Sequence, residues 1–363
     1  MKWLAETFVL FLIVAVVAST PVVAADTAAA PTAAKPSQER TYRWTLVNAK
    51  AAFAPRDGAG ALVFRDKMWL LGGWNPSDKV HFATKCNSEV WNSTDGATWT
   101  LQVAKAPWEE RHTAGYVVHQ DKMWIVGGDP LQGHYQPNVW NSADGIAWQQ
   151  VTDKAPWGAR CLHCTVVHDG KIWVMGGQTT PQFAPAPEAF HNDVWCSSDG
   201  ANWTQVTAHA LWGERGMIGG AAVMGGRIWL LGGGTYETPE RPLPRKFYND
   251  VWSSADGVDW QRHTEAAPWH ARQYHDVAAF DDRLWVMEGG FFTNAKDARR
   301  FNQNDVWYSA DGVNWRELPN TPWPPRHAAS VFVYRGSLWM VAGNNMQPDV
   351  WRLDVAEADA TKE

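Results

Sequence analysis

Cysteine is scarce, with four in 363 residues: Cys86, Cys161, Cys164 and Cys196. So few thiols exclude a disulfide scaffold, so a large apolar core must hold the chain. Positive charge is also in deficit. A formal balance of −6 argues against a nucleic-acid-binding body, which is normally basic. Past the first 25 residues, no apolar run approaches the roughly 20 residues of a membrane span, so no span is expected in the mature chain.

The ends are distinctive. Residues 1–25 read as a cleavable export signal: Lys2, an apolar stretch from Phe8 to Ala18, then small residues up to Ala24-Ala25. A periplasmic or secreted location is expected. An Ala/Pro/Thr-rich flexible leader is expected over 26–40, and a short tail over 356–363.

What the chain has in excess is tryptophan, 25 copies, and most of them recur in register. Val-Trp-x-Ser-x-Asp-Gly-x-x-Trp appears five times, from Trp91, Trp140, Trp195, Trp252 and Trp307. A second series, Trp69, Trp124, Trp173, Trp229, Trp285 and Trp339, is spaced by 55, 49, 56, 56 and 54 residues, mostly just before Gly-Gly. Repetition at this period signals a repeat architecture. Each unit holds four short strands, and Asp-Gly marks a hairpin because Gly reaches positive φ without steric cost. Four such strands cannot bury both faces alone, so the units must stack radially into an all-β propeller over residues 41–355. The last unit stops after Val350-Trp351, and Tyr42 to Val47 supplies its missing fourth strand, with Trp44 placed like Trp99. Six blades result, and no sheet edge is left open.

The Arg before an apolar strand, the Gly-Gly strand end, the Asn-Asp-Val-Trp strand and the lone Trp together resemble the kelch repeat, found also in the central domain of galactose oxidase. The resemblance covers nearly all of the mature chain. It implies the fold; it implies less about function, because kelch propellers include enzymes, peptide-capturing adaptors and interaction scaffolds. The Ser-x-Asp-Gly-x-x-Trp turns also look like the Asp box of sialidases, shortened by one residue, and that turn is structural there.

Each inner strand is introduced by an aromatic residue and an arginine: Arg56, Arg111, Arg160, Arg215, Arg272 and Arg326. Six guanidinium groups at one channel mouth need counter-charge, either from Asp57, Glu110, Glu214, Asp276 and Glu288 or from an anionic ligand. An acidic sugar or an acidic peptide or protein is the expected partner of a monomeric propeller. In kelch domains that capture acidic peptides the matching arginines contact carboxylates, and Arg111, Arg160, Arg215 and Arg272 match them.

Five units end the second strand with Gly72, Gly127, Gly176, Gly232 or Ala342, whereas the fifth has Glu288 beside Tyr274 and His275. A broken repeat has a local reason. Glu288 with His275 or Tyr274 forms a candidate acid–base set, and its likeness to the six-bladed N-acetylneuraminate epimerase implies a cofactor-free sugar-acid mutarotase as the alternative function. Glu288 here replaces the first, not the second, glycine of that strand end. A cell-envelope interaction scaffold is the third reading. No metal or cofactor is expected. Cys161-Leu162-His163-Cys164 opens a strand and not a helix, so it lacks thiolate activation, and buried thiols or one disulfide partner are expected. His112, His163, His275 and His327 read as strand-linking histidines.

The loops joining second and third strands are long at 74–89, 178–193, 234–250 and 291–305. Long loops on a rigid scaffold are usual recognition sites, and Arg241, Arg245, Lys246, Lys296, Arg299 and Arg300 would make this rim positive.

Overall fold

The computed structural model describes residues 40–130, 134–179, 189–216, 219–235, 246–290 and 302–356. The export signal, most of the leader, most of the tail and the rim residues Arg241, Arg245, Lys296, Arg299 and Arg300 lie outside the described residues.

Six four-stranded antiparallel sheets form the blades, and the described residues contain no α-helix. The first blade comprises Gly60–Phe64, Lys67–Leu71, Val90–Ser93 and Thr100–Val103, and the next four repeat this order. Their inner strands are Gly115–His119, Cys164–His168, Ala221–Met224 and Asp276–Phe280. In the sixth, Ser330–Tyr334, Ser337–Val341 and Val350–Ala356 are completed by Thr41–Asn48 from the start of the domain. Thr41 pairs with Ala356 and Trp44 with Leu353. Each inner strand touches the inner strands of both neighbouring blades, so the ring is closed.

The tryptophans explain how the blades adhere. In the Asp-Gly turn the Ser93 hydroxyl accepts the Gly96 N–H at 2.8 Å, and Asp95 Oδ1 accepts those of Ala97 and Thr98 at 2.9 and 2.7 Å. The turn glycine then rests on the second-strand tryptophan of the preceding blade. A Cβ on Gly96, Gly145, Gly200, Gly257 or Gly312 would stand 2.2–2.4 Å from Trp339, Trp69, Trp124, Trp173 or Trp229. These glycines are required by space as well as by positive φ. Trp285 meets no such turn, because the chain break falls in blade six. The Tyr42 ring covers it edge-on at 4.8 Å, and Tyr42 donates a 2.7 Å hydrogen bond to Asp281. The fourth-strand tryptophans pack edge-on against the aromatic that opens each unit; Trp44 with Trp323, at 5.9 Å, repeats the geometry of Trp148 with Trp108 at 6.0 Å.

In blade four the expected loop from Gly234 to Asp250 is partly strand. Arg227–Thr235 pairs with Lys246–Ser254 out to Thr235 opposite Lys246, because the two runs stay in hydrogen-bonding reach beyond the Gly232 irregularity. The four cysteines are buried thiols. Burial pushes the Cys164 thiol up to about 12 and those of Cys86 and Cys161 well above their ordinary value, which leaves them protonated.

Candidate functional site

The six arginines come from equivalent positions just ahead of the inner strands, yet their guanidinium groups turn into the blades and not toward the channel. Exposure is 0% for five of them and 2% for Arg160. Each Nη1 donates to the carbonyl that ends the second strand of its own blade, at Gly72, Gly127, Gly176, Gly232, Glu288 or Ala342, over 2.7–3.1 Å. In five blades the charge is met by the acidic residue two places before the third-strand tryptophan: Glu89, Asp193, Asp250, Asp305 and Asp349, at 2.5–2.7 Å. In the described ion pairs those residues, and not Asp57, Glu110, Glu214, Asp276 or Glu288, are the counter-charges. Each also accepts the indole N–H of that tryptophan at 2.7–2.9 Å. A buried charge requires such satisfaction, and here the blade provides it. Blade two departs. Asn138 stands in the acidic position, Arg111 Nη2 has no partner among the described residues, and burial lowers its guanidinium to about 10.

Glu288 departs in a different way. Its backbone has φ 50, in the left-handed region where four of the other blades carry glycine and one Ala342. A side chain there costs about 1–2 kcal/mol, so its contacts must return that strain. Its main-chain carbonyl holds Arg272, while its carboxyl group crosses to blade six, where Oε1 accepts the Ala329 N–H at 3.0 Å. The other side of the carboxyl group lies next to the carboxyl group of Asp276, and each perturbs the ionisation of the other.

Asp276 opens the inner strand of blade five opposite Met287, one residue from Glu288. Equivalent strands begin with Gly60, Gly115, Cys164 or Ser330. Blade five therefore breaks the repeat twice, at positions offset by one residue across one strand pair. That coincidence was the available signal, and reasoning from Glu288 toward its sequence neighbours missed it.

Glu288 Oε2 and Asp276 Oδ2 have no other partner among the described residues, and two neighbouring carboxyl groups bond to one another only with a proton on one of them. Desolvation holds Asp276 well above the usual carboxylate range, and the Glu288 charge raises it further. Desolvation likewise pushes Glu288 up, to about 7, against the lowering effect of Asp276 and of the Ala329 N–H. The pair therefore keeps one proton between its carboxyl groups once Glu288 ionises, above about pH 7, since two like charges in contact do not both ionise there. Glu288 is fully enclosed, whereas Asp276 lines the axial channel, a space of about 160 Å³ also walled by Thr113, Tyr116, Thr165, Ser330 and Val331.

His275 does not join this pair. It is buried, its Nε2–H donates to the Leu231 carbonyl at 2.9 Å, and burial with nearby Arg272 lowers it to about 3, so it stays a neutral imidazole. His163 holds the equivalent place, bonded to the Val126 carbonyl at 3.1 Å. These rings explain two of the glycines: a Cβ on Gly127 or Gly232 would lie 2.9 Å from His163 or His275. Blade six has Ala329 there, and Glu288 occupies the freed space. Tyr274 stacks its ring near His327, 5.2 Å between centroids, with φ 60. His327 Nδ1 is 2.8 Å from Asn302 Oδ1, and His112 Nδ1 is 2.9 Å from the Asp129 carbonyl.

Comparisons with known proteins agree with this architecture. The family profile described as the kelch motif matches residues 159–196, which span blade three from Arg160 to its third strand. Among solved structures, one reported as "Structure of YjhT" is similar with a TM-score of 0.60 and 16% identity, over 87% of this chain and 98% of that one. Identity this low speaks for the fold alone. No curated protein matches the sequence. Six repeats of the same strand signature, one matched by the kelch motif, closed in a single ring of blades, make this chain a kelch-repeat six-bladed β-propeller.

Proposed function

We propose that this propeller exchanges protons with a hydroxylated ligand held in its axial channel, through Asp276 backed by Glu288. The reaction class is cofactor-free anomer exchange of a sugar. One observation carries the reading: blade five spends backbone strain and carboxylate desolvation at one place, and the result is a proton-sharing carboxyl pair beside a channel. Such concentrations of cost mark functional sites more often than structural ones.

Mutarotation needs a group that takes a proton from one oxygen and returns it to another, with a pKa near the working pH. Asp276 touches the channel and acts as that group. Glu288 is enclosed, so it acts as the positioning residue that accepts and returns the shared proton. The earlier expectation of an anionic ligand at an arginine-lined mouth has less support, since the described guanidinium groups are enclosed and bonded within their blades. The reading of residues 1–25 as an export signal would set this activity outside the cytoplasm.

The test is exchange spectroscopy by NMR on equilibrated sugars. Asp276→Asn should abolish any acceleration, a loss of about 100-fold or more, with the melting temperature kept. Glu288→Gln should move the acid limb of the rate profile to lower pH, because Asp276 loses the neighbour that raises it. Wild type and both variants running at the buffer rate would remove the proposal.

A further inference from the structure

We infer that the channel selects neutral reducing sugars, entered by their hemiacetal end, over sugar acids. This inference rests on the acid–base reading above and adds the charge and size of the substrate. Three observations carry it.

The first is charge. Above about pH 7, where Glu288 ionises beside an Asp276 that is held well above the usual carboxylate range, the two together hold one negative charge at the channel wall. No lysine or arginine is among the described residues lining the channel, and its one histidine, His163, is lowered to about 3 by burial and by Arg160. A ligand carboxylate roughly 6 Å from the pair, at an effective dielectric near 20, would bind on the order of 100-fold more weakly than a neutral ligand.

The second is hydrogen bonding. Thr113, Tyr116, Thr165 and Ser330 give the channel wall neutral, hydroxyl-bearing side chains; the hydroxyl oxygens of Thr113, Tyr116 and Thr165 are enclosed, that of Thr113 against the Cys161 thiol and that of Tyr116 near Arg111. Hydroxyl groups both donate and accept and carry no charge, so such a wall suits a polyol better than an ionic ligand.

The third is space. About 160 Å³ is close to the volume of about 150 Å³ in which an engineered cavity holds benzene, six non-hydrogen atoms. A whole hexose is twice that count, whereas the anomeric carbon, its two oxygens and their neighbours match it.

The step balances within the protein. Asp276 takes the proton from the anomeric hydroxyl as its own shared proton moves onto Glu288. The O–H electron pair becomes the second bond of the carbonyl, and the bond from the anomeric carbon to the ring oxygen breaks with its pair left on that oxygen. Asp276 then protonates the ring oxygen and recovers its proton from Glu288. Closure on the opposite face of the carbonyl reverses each transfer.

The experiment compares anomer exchange of glucose, galactose and mannose with that of glucuronate and N-acetylneuraminate, using wild type and Asp276→Asn at about pH 8, above the value of about 7 to which Glu288 is pushed. The expected result is acceleration of the neutral sugars, with kcat/KM at least tenfold lower for the acids. Acids accelerated as well as neutral sugars, still dependent on Asp276, would overturn the charge selection and leave the acid–base reading standing. No acceleration of any sugar, or none lost in Asp276→Asn, would overturn both.

Discussion

At the residue scale, Glu288 and Asp276 should make stability depend on pH in the direction opposite to an ordinary salt-bridged carboxylate. Both are raised in the folded state. The folded protein therefore binds more protons than the unfolded chain, and stability falls as pH rises from about 4, where the unfolded groups ionise, to about 7. For Glu288 alone the loss is on the order of 3 kcal/mol. Because Asp193 and Asp305, lowered by their arginines, act in the opposite sense, the difference between proteins is what reports on the pair. Glu288→Gln should lose less melting temperature than wild type between pH 4.5 and 7.5. Parallel pH profiles for the two proteins would show that the carboxyl pair does not carry the shared proton.

At the scale of the element, the Asp-Gly turn holds its hairpin and also joins one blade to the next. Gly200 has φ 71, and a Cβ there would sit 2.3 Å from the Trp124 ring of the preceding blade. Gly170 has φ 64 with nothing within 4 Å. The two glycines separate backbone strain from interface packing. Gly170→Ala should cost about 1 kcal/mol, the penalty for a side chain in the left-handed region. Gly200→Ala should cost that plus the displacement of a core tryptophan, about 3 kcal/mol or more in total, since overpacking alone costs about 1–3 kcal/mol. Equal shifts in urea midpoint would mean that the turn does not seat on Trp124. The sequence showed that these glycines were turn residues. It could not show the tryptophan beneath them, because that contact joins separate repeats.

At the scale of the whole molecule, closure rests on Thr41–Asn48. Its Tyr42 stands where the other blade junctions place a turn glycine, edge-on to Trp285 and 5.4 Å from Tyr308, with its hydroxyl group on Asp281. Tyr42→Ala should cost about 3–4 kcal/mol, in the range of other aromatic truncations, and Tyr42→Phe about 1 kcal/mol for the hydrogen bond. Chemical denaturation of the three proteins would check this; an unchanged midpoint for Tyr42→Ala would mean that the ring is closed elsewhere.

The amino-acid sequence by itself determined the repeat, the number of blades, the strand that closes the last one, and the position where blade five departs from the pattern. All of these are periodic or local, and Trp spacing, Asp-Gly turns and a missing glycine can be read along a chain. Tertiary structure decided where the charges point. The arginines looked like a cationic mouth because their spacing places them at one end of the channel, yet spacing does not fix the direction of a long side chain. Burial required each guanidinium to find an acceptor, and the nearest were the carbonyl of its own blade and, in five blades, a carboxylate. The same requirement brought Glu288 to Asp276, not to His275. Two neighbouring carboxyl groups could share a proton, whereas the histidine was already bound to the carbonyl of Leu231.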